Sequence, residues 1–188
     1  MTRLRSDAAR SRATILETAR AVPVAELRLN DLAREAGLGV GTVYRHFPTV
    51  ASLVEALSTD AMEQLIELAR AASDIDDPGE AVATLVRDSV AVQLQNDGLQ
   101  ATLVATDVSP AVSALRDELL TTANAVLDRA VRSGAVSDKI SIGHMQRLVC
   151  GVEHAVRLGN GADRELLLDV MLAGLVSTGS DGATKGRR

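Results

Sequence analysis

The sequence predicts an all-α protein, with a small helical head followed by a larger helical body. Three observations carry that prediction. Apolar residues recur at helical spacing in one segment after another. Gly, Pro and Asp/Asn signals separate those segments, and no stretch reads as a convincing strand. Finally, the chain's only Tyr and only Phe, Tyr44 and Phe47, sit three residues apart in a chain without Trp.

Residues 1–9 read as a basic arm. Met1-Thr-Arg-Leu-Arg is polar and no apolar stretch follows it, so no secretory signal is expected. Arg3, Arg5, Arg10 and Arg12 make this region either a flexible phosphate clamp or a solvated tail.

The head, over residues 10–57 and continuing into a helix to about 72, contains the most informative stretch, Ala33-Arg-Glu-Ala-Gly37-Leu-Gly-Val-Gly-Thr42-Val-Tyr44-Arg-His46-Phe47-Pro48. It reads as a helix, a glycine turn and a short second helix. Leu32, Ala36 and Val43 supply an apolar seam, and Ala33 is small enough for two helices to cross closely. Gly37 can take the left-handed conformation that ends a helix within one residue. Leu38 can plug the angle before the next helix. That is a helix-turn-helix pattern, whose second helix enters a DNA major groove.

On these residues the chain resembles the tetracycline-repressor (TetR) family of bacterial transcriptional regulators. The matching elements are Ile15-Leu16-Glu17-Thr18-Ala19, then Asp31 to Gly37, then Gly41-Thr42-Val43-Tyr44-Arg45-His46-Phe47. They cover roughly the first third of the chain. Three features depart from the family pattern. The link Ala21-Val-Pro23-Val-Ala-Glu-Leu27 lacks the usual aromatic and glycine. Gly39 stands where a Ser or Thr caps the recognition helix, a loss of only about a few tenths of a kcal/mol. Val50 and Ala51 stand where a Lys-Glu pair is expected, removing one basic backbone contact.

The candidate DNA-contacting residues are Asn30, Val40, Gly41, Thr42, Tyr44, Arg45 and His46. Tyr44, beside Thr42 and His46, is expected to donate its hydroxyl to a phosphate, and the resemblance implies the same. Val40, Gly41 and Arg45 sit where base-edge contacts are made. Arg45 reads either a guanine through O6 and N7 or a phosphate. Ala33, Gly37, Leu38, Val43 and Phe47 are structural, with Phe47 closing the helix into the core.

The body, residues 58–176, reads as further helices. Leu53, Leu57, Leu65 and Leu68 keep helical spacing over about 50–72. Asp77-Pro78-Gly-Glu80 is a start signal with a cap, a first-turn Pro and an acid three residues on. That helix runs to about Asn96, and Asp97-Gly98 opens a shorter one. Ser109-Pro110 starts another that stops at Gly134. A long segment from about Asp138 to Leu158 and an apolar helix from Leu166 to Leu175 follow. Residues 177–188 are Gly, Ser, Thr and Lys/Arg, the composition of a disordered tail.

Those last two helices are apolar over more of their circumference than one packing face requires. Leu148, Val149, Val152 and Val156 form one stripe; Leu167, Val170, Met171, Gly174 and Leu175 form a broader one. Such helices are either central in a core or shared with a second subunit, and the resemblance implies a homodimer built on them. The expected interface is Leu148, Val152, Val156, Leu167, Met171, Gly174 and Leu175.

Charge supports a DNA-binding head. The net charge is −5, but residues 1–47 hold eight Arg against five acids, a balance of +3 that leaves −8 for the remainder. A basic head on an acidic body favours one orientation on a polyanion. No run reaches the roughly 18 apolar residues a membrane span needs. The single Cys150 excludes an internal disulfide and fits a cytoplasmic protein.

Other chemistry finds little support. His144, Cys150 and His154 do not share one helix face, so no metal site is expected. No cofactor motif or nucleophile–base pairing stands out, and no enzyme activity is expected. The body, almost free of rings, suits an aliphatic effector, with Gln93, Gln95, Thr102, Arg116, His144, Arg147 and His154 as candidate polar groups. A solidly packed body without a pocket is the rival. The reading is thus a homodimeric repressor of a double-stranded operator, released by a small hydrophobic effector. Its alternatives are a regulator without a small-molecule input, a helical interaction module and an enzyme on a helical scaffold.

Overall fold

A computed structural model describes residues 2–175 and the side chains of residues 7–175; the expected tail, 177–188, lies outside the described residues. Among these residues there are nine helices and no strand. They are α1 (Thr2–Arg20), α2 (Leu29–Glu35), α3 (Val40–His46), α4 (Val50–Ser73), α5 (Pro78–Gln95), α6 (Leu99–Val104), α7 (Pro110–Arg132), α8 (Ile142–Leu158) and α9 (Arg164–Leu175), with a 3-10 turn at Val24–Glu26. The backbone is helical from Thr2, so residues 2–9 of the expected basic arm form the first turns of α1.

Local chemistry fixes the helix ends. The Glu80 backbone N–H donates to the Asp77 carboxylate at 2.8 Å, starting α5 as the sequence predicts. Thr49 and Ser52 cap α4 reciprocally: each backbone N–H donates to the other's hydroxyl oxygen. The segment expected to be helical from Asp138 becomes so only at Ile142. Its true cap is Ser141, whose hydroxyl accepts the His144 N–H at 3.3 Å.

The chain divides into two compact units, which differ from the expected head and body. The first comprises residues up to 63 together with 96–116; the second comprises 64–95 and residues from 117 onward. The first unit's core gathers Ile15, Leu16 and Ala19 of α1, Leu27, Leu29, Leu32 and Ala33, Val43, Phe47, and Leu53 and Val54 of α4. Polar contacts explain why 96–116 joins it. The Asp97 carboxylate accepts the Val24 N–H at 2.9 Å, and the Glu55 carboxylate accepts the Ser109 N–H at 3.2–3.3 Å. Arg116 donates to the Ala105 carbonyl at 2.6 Å.

The second unit packs α5 against α8 and α9, with α7 completing the core. Val82, Val86 and Val90 meet Val126, Leu127, Met145, Val149, Leu168, Met171 and Leu175. Arg129 donates to the carbonyls of Ala72, Ser73 and Ile75, at and just beyond the C-terminal end of α4. Arg87 on α5 reaches Glu165 at 2.9 Å and Asp169 at 2.6 Å on α9. The Asp169 hydrogen bond, with the charges of Asp169, Glu165 and Glu80, raises the Arg87 pKa above its ordinary value against the opposing effect of burial.

This core revises the expected dimer interface. Val156, Met171 and Leu175 are buried within the subunit itself, and Leu167 and Val152 are half-buried. The period of α9 explains the correction: Leu168, Met171 and Leu175, at i, i+3 and i+7, line the side facing α5 and α8. The open faces carry other residues. On α8 they are Leu148, Gly151, His154 and Leu158; on α9 they are Leu166, Val170, Ala173 and Gly174. Leu166 and Val170 are 63% and 64% exposed.

Candidate nucleic-acid interface

The turn between α2 and α3 is built as the residues dictate. Gly37 has φ of +64°, its N–H donates to the Arg34 carbonyl, and the Leu38 N–H donates back to Ala33 at 2.9 Å. This pairing closes a helix while turning the chain sharply. Leu38 packs half-buried against the core, and α3 begins at Val40 without a side-chain cap.

On α3, Val43 is fully buried and Phe47 follows it one turn later at the helix end. The opposite face holds Val40, Gly41, Tyr44 and Arg45, all exposed, with Thr42 and His46 half-buried at its edges. The spacing i, i+1, i+4, i+5 puts the four on one side of the helix. Asn30 is exposed in the first turn of α2. Tyr44 is 44% exposed. A Cβ added to Gly41 would meet nothing within 4 Å, so the protein's own packing does not require a glycine there.

The candidate effector residues are divided. Thr102 and Arg116 lie in the first unit; Gln93, His144 and Arg147 lie in the second. Several have local partners. Thr102 is buried against the Ser58 hydroxyl, and the His144 Nδ1 accepts the Ser141 N–H at 3.2 Å. Gln93 is buried with its side-chain oxygen 3.9 Å from the Cys150 Sγ.

The sequence reading missed the polar group of greatest consequence in the second unit. Glu153 is 1% exposed, pairs through Oε1 with Arg157, and leaves Oε2 buried without a partner. Its signal was available: Val149, Glu153 and Val156 fall at i, i+4 and i+7 on the buried face of α8.

A buried seam, a left-handed glycine turn and a short helix with an open polar and small-residue face define a helix-turn-helix DNA-binding protein. Comparison with known proteins specifies it further. Residues 14–57 match the family described as bacterial regulatory proteins, tetR family, and residues 77–177 match the SbtR-like transcriptional regulator C-terminal domain. The chain belongs to the TetR family of transcriptional regulators. It is 32% identical to a TetR transcription regulatory protein from Mycobacterium vanbaalenii, covering 92% of this chain and 99% of that one with a TM-score of 0.54. It shares its fold with FadR from Bacillus subtilis, solved with stearoyl-CoA, at 14% identity over 87% of this chain and 98% of that one (TM-score 0.63). AibR, solved with isovaleryl coenzyme A and operator DNA, is 16% identical over 89% and 98% of the two chains (TM-score 0.66). No curated protein matches the chain. Among the described residues, no helix is long and apolar enough to cross a membrane.

Proposed function

We propose that the protein is a homodimeric repressor that reads its operator with α3 and leaves it when a small hydrophobic effector binds. The observation that carries this reading is the open α3 face, where Val40, Gly41, Tyr44 and Arg45 sit together on a helix anchored by Val43 and Phe47. Tyr44, Thr42, His46 and Asn30 contact phosphates, while Val40, Gly41 and Arg45 approach base edges.

The second subunit docks on the outer faces of α8 and α9. Leu148, Leu166 and Val170 supply apolar area there, and Gly151, Ala173 and Gly174 let helices approach closely. Two heads then address half-sites about 34–36 Å apart, or a little more. The effector belongs to the class of acyl thioesters or similar aliphatic molecules. The ring-poor body supports this, as do the acyl-CoA ligands of FadR and AibR. The unpartnered Glu153 Oε2 supplies a buried acceptor for a polar group of such a ligand.

Thermal-shift screening with acyl-CoAs of increasing chain length, followed by DNA-release assays with the same compounds, tests this proposal. A ligand at a hundredfold its Kd stabilises the folded state by about 2.7 kcal/mol. By reciprocity, operator DNA weakens its binding by the factor with which it weakens DNA binding. A panel that neither raises the Tm nor releases DNA favours a regulator without a small-molecule input.

A further inference from the structure

The arginines of the first unit are not equivalent. Arg10 pairs with Asp7, Arg20 with Asp60 at 2.7 Å, and Arg34 with Asp31 at 2.9 Å. Arg28 donates to the carbonyls of Ala25 and Leu27. Two exposed guanidiniums of this DNA-binding unit have neither a carboxylate nor a backbone carbonyl as partner among the described residues. One is Arg45, on α3 itself. The other is Arg12, which lies on α1, 33 residues earlier, with its Cζ 5.5 Å above the centre of the Phe47 ring.

Phe47 terminates α3, and its ring is also 6.4 Å from that of His46. An arginine over an aromatic face at this range is held by the ring's quadrupole while its N–H groups stay free. The contact restrains a long side chain at the C-terminal end of the recognition helix without neutralising its charge. We propose that Arg12 is a phosphate-contacting residue of the DNA interface, aimed by its stack on Phe47. The proposal rests on α3 being the recognition helix. It assigns the DNA backbone beside the end of α3 to α1, and it distinguishes Arg12 from Arg10, whose charge is already matched.

Fluorescence anisotropy of the full-length protein with a mixed-sequence duplex of about 30 base pairs, over a salt series, tests this. The slope of log K against log salt is about −0.9 per phosphate neutralised. Arg12→Met, which can still cover the ring but carries no charge, makes the slope shallower by about 0.9 for each DNA-bound subunit. Arg12→Lys keeps the slope. Arg20→Gln, which removes an already paired charge, leaves it as in the wild type. Wild-type slope and affinity in Arg12→Met, at an unchanged Tm, overturn the proposal. If the wild type shows no salt-dependent binding at all, the assignment of α3 as a recognition helix fails first, and the role of Arg12 with it.

Discussion

Ser58 and Thr102 meet hydroxyl to hydroxyl at 3.1 Å, both buried, joining the first half of α4 to α6. The Val54 carbonyl lies 2.9 Å from the Ser58 hydroxyl and the Gly98 carbonyl 3.2 Å from the Thr102 hydroxyl, so one hydroxyl donates to its carbonyl while the other donates across the pair. A segment more than thirty residues beyond the helix-turn-helix is thereby part of the unit that carries it. The link needs a glycine at 98. Its φ is +85°, and a Cβ there would stand 2.8 Å from the Val54 Cγ1.

Gly98→Ala is therefore expected to destabilise the first unit by about 1–3 kcal/mol, from backbone strain and the clash together. Calorimetry and DNA affinity measure the result. Thr102→Val, which keeps the shape but removes the hydroxyl that pairs with Ser58, costs about 1 kcal/mol. A neutral Gly98→Ala contradicts the assignment of α6 to this unit.

Gly41 separates function from stability. Gly41→Leu puts a side chain into open space and improves helix propensity by up to about 1 kcal/mol. The variant is expected to melt at or above the wild-type Tm while losing DNA binding, because its side chain occupies the face presented to the groove. Retained affinity removes Gly41 from the interface.

The dimer prediction distinguishes neighbouring residues on α9. Val170→Asp lies on the open face, so the subunit stays folded while sedimentation shows a monomer. Met171→Glu buries a charge in the subunit's own core and costs about 3 kcal/mol or more, seen as a fall in Tm. A Val170→Asp protein that remains dimeric places the interface elsewhere.

Removing Arg157 leaves Glu153 as a buried, uncompensated carboxylate. Arg157→Ala is expected to cost about 3 kcal/mol, somewhat less because the guanidinium is partly exposed. It also frees the carbonyls of Gln93 and Leu94. Adding Glu153→Gln to Arg157→Ala restores part of the loss, measurable by chemical denaturation. If the double variant is no more stable than Arg157→Ala, the charge is not what Arg157 compensates.

The sequence made the head and most helix starts legible because local chemistry encodes them: Gly37 for the turn, Asp77 and Pro78 for α5, Gly98 for α6. The membership of α6 in the first unit was not legible, because it depends on Asp97 reaching Val24 and Thr102 reaching Ser58 across long sequence separations. The side on which α9 buries Met171 and Leu175 was hidden for another reason. A helix apolar around most of its circumference has two plausible buried faces, and only packing against α5 and α8 selects one. The α3 face was legible from spacing alone, whereas the Arg12 contact with Phe47 required the crossing of α1 and α3.

Selection of bound fragments from a random duplex library by the wild type and by Arg45→Ala tests the central claim, that α3 of two subunits reads DNA. The account predicts a near-palindromic wild-type site with half-sites at least one helical turn apart. It predicts that Arg45→Ala loses preference at symmetric positions, by about 1–3 kcal/mol each where Arg45 meets a base, and that Tyr44→Phe weakens all sequences alike. Enrichment of no sequence, or of one unchanged by Val40, Tyr44 and Arg45 substitutions together, would contradict it.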